Sequence, residues 1–230
     1  MSGFTASFQY GATGTNYAQP GTTIVAAGNT PHASLFSVNA LYNNGPIALG
    51  VGYEGHYGSR GRAAPAAGAA PGTGGQLNDY AFSVAGAYSF SIARIGAVYE
   101  RLKYDNALNT GGDLTRNFWG VSVTGNLGPG QAYFFYGQAN NGSCSVAVCA
   151  RVGGLNAGDN TKAAQWELSY TYPLSKRTLT YVGYNKIANK QAAQYNFNIN
   201  SYNPVSASDA AYNTPGGKPG GLVFGMVHFF

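Results

Sequence analysis

The 230-residue chain carries 13 basic and 8 acidic side chains, a net charge of +5, and only 9% of its residues are charged, against the ~25% usual in soluble globular proteins. A charged surface is therefore not what would keep it in solution. Its basic residues come as thin pairs, Arg60 with Arg62, Arg101 with Lys103 and Lys176 with Arg177, without the interleaved aromatic surface that nucleic-acid binding uses, so no nucleic-acid partner is expected.

No stretch reaches the ~18 apolar residues of a spanning helix, and the start, "MSG", lacks the basic and apolar regions of a signal peptide. The elements that do appear have a period of two. Phe4, Ala6, Phe8 and Tyr10 alternate with Thr5, Ser7 and Gln9, which cannot be one face of a helix and predicts a strand. Phe36, Val38, Ala40 and Tyr42 form the next such set, followed by Ile47, Leu49, Val51 and Tyr53, and by Tyr80, Phe82 and Val84. From residue 93 to 104, Ile95, Ala97 and Tyr99 share a parity with Arg101 and Lys103, which predicts that these two charges lie at or beyond a membrane edge. Trp119, Val121 and Val123 follow, then a stretch over residues 132–139 that is apolar on both faces. Trp166, Leu168, Tyr170 and Tyr172 form a clean alternation. In the next segment Leu179 and Tyr181 oppose Thr180, Val182, Tyr184 and Lys186, and the latter set is assigned inward. With "GLVFGMVHFF" at the end, the expectation is ten strands.

The connections alternate as regularly as the side chains. Short turns at "NNGP", "SFSI", "NLGPG" and "PLSKR" are separated by long loops over residues 11–32, 58–78, 105–114, 140–162 and 188–220. An up-and-down sheet with one plain end and one elaborated end is the form of outer-membrane barrels. The parity that holds Phe36, Val38, Leu49, Val51, Val121, Val123 and Leu168 is free of charge in its middle and has aromatics (Tyr10, Tyr42, Tyr53, Trp119, Trp166 and Tyr172) near strand ends. That is an apolar band between girdles. The other parity carries glycine, serine, threonine, glutamine and a few ions. The fold class predicted is thus all-β, a transmembrane antiparallel up-and-down barrel, with residues 1–230 as a single domain.

The stretches "GFTASFQYGATG", "RNFWGVSVTGNLGPG", "AAQWELSYTYPLSKRTLTYVGYNKIANK" and "GMVHFF" resemble the general-diffusion porins of Gram-negative bacteria, particularly the beta-proteobacterial branch, over nearly the whole chain. The resemblance implies an outer-membrane location among lipid and lipopolysaccharide, a barrel of about sixteen strands, a homotrimer, and passive diffusion of small hydrophilic solutes. It also implies that the terminal strand, with Leu222, Phe224, Met226, His228 and Phe230 on alternate positions, is read by the barrel assembly machinery. With ten strands in sight, the chain reads as the C-terminal portion of such a porin, lacking the N-terminal strands, the signal peptide and the loop that sets the family's constriction. A self-contained barrel of ten strands would be narrow, since an open channel needs about 16.

Function is then expected in the lumen. Glu54, His56, Arg94, Glu100, Arg116, Glu167 and Lys186 are the ionisable residues assigned inward. With a positive overall balance they predict a weakly anion-preferring, otherwise non-specific channel; each is equally readable as a strut between strands. Cys144 and Cys149, in "CSVAVC", are expected to form a disulfide that pins a loop. Two thiols without a nearby histidine do not complete a metal site, and neither a metal nor a cofactor is expected. The alternatives are a narrow barrel acting as an adhesin, or a rim enzyme. Of the three histidines, His32, His56 and His228, only His56 with Glu54 or Asp79 could supply a base, and no serine sits in a nucleophile turn. An enzyme is therefore not expected.

Overall fold

The computed structural model describes residues 3–13, 33–60, 76–105, 112–149, 155–197 and 214–230. Within them the chain forms β1 (Gly3–Thr13), β2 (Ala33–Asn44), β3 (Ile47–Arg60), β4 (Gln76–Ser89), β5 (Ala93–Tyr104), β6 (Leu114–Leu127), β7 (Gly130–Ala139), β8 (Ser143–Cys144), β9 (Ala163–Ser175), β10 (Thr178–Asn189) and β11 (Gly220–His228), with no helix. Ten long strands lie in one antiparallel sheet in the order β1-β2-β3-β4-β5-β6-β7-β9-β10-β11, each hydrogen-bonded to its neighbour in sequence; the two-residue β8, which the alternation did not reveal, pairs with the start of β6. The long strands extend several residues beyond the clean alternations. Ladder hydrogen bonds continue where the hydrophobic pattern fades into the loops.

The short turns follow from local chemistry. Gly45 and Gly128 have φ of 54° and 59°, and each is followed by a proline in a two-residue hairpin loop. A glycine with positive φ at the first loop position and a residue with φ near −65° at the second is what a type II′ hairpin turn requires.

Pairing fixes the faces. The row Ile47–Tyr88–Ile95–Val123–Phe134–Leu168–Tyr184–Leu222 runs across eight strands as direct partners, so all of these side chains stand on one face. We call it the outward face. Phe4, Phe8, Leu49, Val51, Leu168, Leu222, Phe224 and Met226 on it are all widely exposed. The opposite row, Ser83–Glu100–Phe118–Ala139–Ala163–Asn189, lies on the inward face.

As the reading of a partial barrel implies, the sheet is not closed: β1 pairs only with β2, and β11 only with β10, among the described residues, so the architecture is an open barrel wall. One expectation is corrected, that for β10. Lys186 pairs with Trp166, Tyr184 with Leu168, Val182 with Tyr170 and Thr180 with Tyr172, which puts all four on the outward face. The mixed polarity of β10 concealed its parity. Register against β9 and β11 decides it, because a shift of one residue would have turned Leu222 and Phe224 inward as well. Lys186 lies near the long-loop end of its strand, where a long cation can reach the interface and leave its stem in the apolar layer.

Among the described residues the buried side chains do not form a central core. Leu114, Ala139, Leu155, Thr161, Ala163, Ile187, Asn189 and Ala193 are all at the long-loop end, where connections fold over the inward ends of β6, β7, β9 and β10.

Candidate functional site

The inward face is paved with small residues. Gly120 and Gly137 lie under the rings of Phe135 and Phe118, which approach so closely that an added Cβ would clash; the rings lie along the wall instead of projecting from it. A shallow trough of about 420 Å³ opens on this face, lined among others by Leu41, Ala48, Gly50, Ala87, Arg94 and Phe135.

Six of the seven predicted lumen residues share this face. Glu54 and His56, two positions apart on β3, are joined by a 3.0 Å contact between Glu54 Oε1 and His56 Nε2, both about half exposed. Across β5 and β6, Arg116 Nη2 donates to Glu100 Oε1 at 2.9 Å. The guanidinium is the better buried partner, with 12% of its side chain exposed, and it lies 5.9 Å from the centre of the Phe118 ring and 5.6 Å from that of Tyr195. Arg94 donates from Nη1 to Ser89 Oγ at 3.1 Å near the short-turn end. Glu167 accepts from Asn185 Nδ2 and Ser169 Oγ, each at 3.4 Å. These ions are distributed in pairs and singles along the wall, not gathered into one centre. Lys186 stands apart on the outward face.

Arg101 and Lys103 are on the outward parity, paired with Phe82 and Tyr80. Lys103 Nζ lies 2.9 Å from Asp113 Oδ2, so its charge is met at the rim. The aromatics of the outward face meet one another: Phe8 with Phe36, Tyr53 with Tyr80, Trp119 with Tyr136 and Trp166 with Tyr184, with ring centres 5.1–5.9 Å apart. On β11, Leu222, Phe224, Met226 and His228 face outward, His228 Nδ1 lies 2.8 Å from Thr178 Oγ1, and the Phe230 ring packs edge-on at 5.0 Å from that of His228.

Cys144 and Cys149 are bonded, with a Cα separation of 5.8 Å. The loop they close is tied to Asp113, whose backbone oxygen accepts from Ser145 N at 3.0 Å and whose N–H donates to Ser145 Oγ at 2.7 Å. His32 lies outside the described residues. Among the described residues no group of three or more His, Cys, Asp or Glu side chains could hold a metal.

Tyr195 and Asn189 have no counterpart among the predicted site residues. Tyr195 joins both buried clusters of the rim. Burial pushes its phenol above the ordinary tyrosine range, with the Arg116 guanidinium pulling the other way. Their role depends on contacts between segments far apart in the chain, which alternation does not encode.

The fold has known counterparts. An anion-selective porin from Comamonas acidovorans superposes with a TM-score of 0.66 at 18% identity, covering 100% of this chain and 57% of that one. OmpT, an outer membrane protein of Vibrio cholerae in its trimer form, gives 0.57 at 11% identity, covering 86% and 57%. This chain thus spans a little over half the length of those structures. No curated protein sequence matches it. The family described as Gram-negative porin matches residues 1–192, and the chain belongs to that family.

Proposed function

We propose that this chain forms the wall of a water-filled outer-membrane channel through which small hydrophilic solutes and ions diffuse passively, with a weak preference for anions. The observation that carries this reading is the division of the registered strands into two unlike faces. One presents Leu49, Val51, Val123, Phe134, Leu168 and Phe224 to its surroundings, while the other presents Ser83, Glu100, Arg116 and Glu167. A soluble sandwich would bury the first face against a second layer. Lipid covers it here, and water meets the other.

The anion preference draws on the net charge of +5 and on the anion selectivity of the Comamonas acidovorans porin. It is weak because Lys186 faces outward, and on the lumen wall Arg94 and Arg116 stand against Glu54, Glu100 and Glu167, so these wall ions add no positive balance of their own. Open strand edges in hydrocarbon leave backbone groups unsatisfied, so a working channel needs both β1 and β11 paired.

A homotrimer, an environment of lipid and lipopolysaccharide, and recognition of Leu222, Phe224, Met226, His228 and Phe230 by the barrel assembly machinery complete the reading. The protein acts as a channel and not as an enzyme. His56 is engaged by Glu54 and His228 by Thr178, and the ions of the lumen wall are dispersed.

The test is a planar bilayer under a salt gradient. Stepwise conductance with a reversal potential displaced modestly toward that of the anion is expected. Absence of any conductance overturns the channel, and firm cation selectivity overturns the anion preference.

A further inference from the structure

The first stretch of the β10–β11 connection, residues 190–197, lies over the inward face and is fixed there. Lys190 N donates to Lys162 O at 3.0 Å, Ala192 N to Asn160 O at 2.9 Å, and Gly216 N, from the returning limb, to Ala193 O at 2.9 Å. One side chain clasps both limbs. Asn189 Nδ2 donates to Tyr195 O and to Gly217 O, each at 2.8 Å, and its Oδ1 accepts from Tyr195 N at 3.0 Å. Asn189 is 6% exposed, so these bonds lie out of competition with water, where losing one leaves a buried backbone group unsatisfied. Beneath the clasp Ala193 packs on Ala163 and Ile187, two side chains on the inward face of β9 and β10.

The segment also reaches far across the wall. Tyr195 meets Arg116 on β6, and β6 is separated from β10 by β7 and β9 in the sheet order. Three strand spacings amount to roughly 14 Å. A surface loop confined to its own hairpin would not touch β6.

We infer that residues 190–197 form a fixed inner shelf that narrows the lumen at the long-loop end and sets the size of solute admitted there, with Tyr195 as the residue that pins the shelf against β6. The Arg116–Glu100 pair under the shelf carries no net charge and Lys190 is the one ionic side chain within residues 190–197, so the narrowing sorts by girth first and only secondarily by sign. This deepens the channel reading and rests on it.

The experiment is single-channel recording and liposome swelling with sugars of increasing size, on the wild type and on the Tyr195→Ala and Tyr195→Cys variants. Tyr195→Ala should raise the unit conductance and admit a larger sugar than the wild type does. A charged methanethiosulfonate reagent added to Tyr195→Cys should cause a stepwise loss of current. The same reagent on Asp159→Cys, a site exposed on the neighbouring loop, should leave the current unchanged. The cysteine variant retains most of the side-chain volume at the shelf after labelling, so it tests the location even if removal of the ring in Tyr195→Ala loosens the rim. Conducting wild-type protein whose two Tyr195 variants show unchanged conductance, sugar cut-off and reagent response overturns the shelf while leaving the channel standing. A wild type that passes no current overturns both.

Discussion

Midway along the strands Leu49, Val51, Leu168 and Phe224 stand exposed on one face, whereas at the long-loop end Leu114, Thr161 and Ala193 have no exposed surface at all. Among the described residues the wall has no partner layer. Backbone ladders hold it together, and its apolar face is stabilised by what surrounds it. The rim is a small conventional core in which Leu114, Leu155, Tyr104, Cys149 and Tyr195 pack on one another. Thr161 is satisfied within it: its Oγ1 accepts from Gly142 N at 3.0 Å and donates to Gly158 O at 2.7 Å. Two regions of one sheet thus answer to different solvents, and a substitution should be costly for different reasons in each.

The largest effect is expected in the wall. Leu168→Arg places a charge on the outward face between Phe134 and Tyr184, and an arginine near the bilayer midplane costs about 2–4 kcal/mol of folding into lipid. Its neighbour Ser169 faces the lumen opposite Tyr133 and Gly183, so Ser169→Arg should leave folding nearly unchanged and displace the reversal potential toward the anion. Urea-dependent folding into vesicles measures the first, and bilayer recording the second. Equal destabilisation by the two variants would abolish the distinction between faces.

Truncating the rim comes next. Leu114→Ala removes a fully buried side chain and should cost about 2 kcal/mol or more, since the surrounding residues collapse only partly into the space. The loss should be local. Amide hydrogen exchange is expected to quicken at Ser145 and across the Asp113 contacts while the β3–β4 ladder keeps its protection. Uniform acceleration across the sheet would mean that wall and rim open as one unit.

What the sequence made legible follows the same division. Strand positions, the short turns and the outward set from Phe36 to Leu168 could be read because a wall between lipid and water imposes a strict period of two and joins its strands at one end by short turns, two of them Gly-Pro. Lys186 was misread for the converse reason: β10 mixes Thr180, Val182 and Tyr184 on one side with Leu179 and Tyr181 on the other, so only pairing with Trp166 and the terminal strand reveals its face. The rim was nearly invisible. The short β8 owes its existence to Leu114 and Thr115, its partners across the sheet, and the Tyr195–Arg116 contact joins residues that no local pattern connects. The sheet's open edges could not be read from alternation at all, because an edge strand and a central strand carry the same period.

The smallest effect should come from the disulfide, and its smallness sharpens the separation of rim from wall. Cys144 and Cys149 close a loop with a sequence separation of 5, and so short a loop limits the entropic contribution of the bond to about 2 kcal/mol. The same loop is already held by the Ser145 and Asp113 bonds and by the pairing of Cys144 with Leu114, so part of that constraint survives reduction. Reduced protein in vesicles should therefore keep its unfolding free energy, from urea titration, within about 2 kcal/mol of the oxidised form, show both thiols open to alkylation, and exchange the Ser145 amide faster, with unit conductance unaltered. A reduced protein that loses its channel or unfolds outright would show that this loop anchors the wall itself, and the two regions would have to be treated as one cooperative structure.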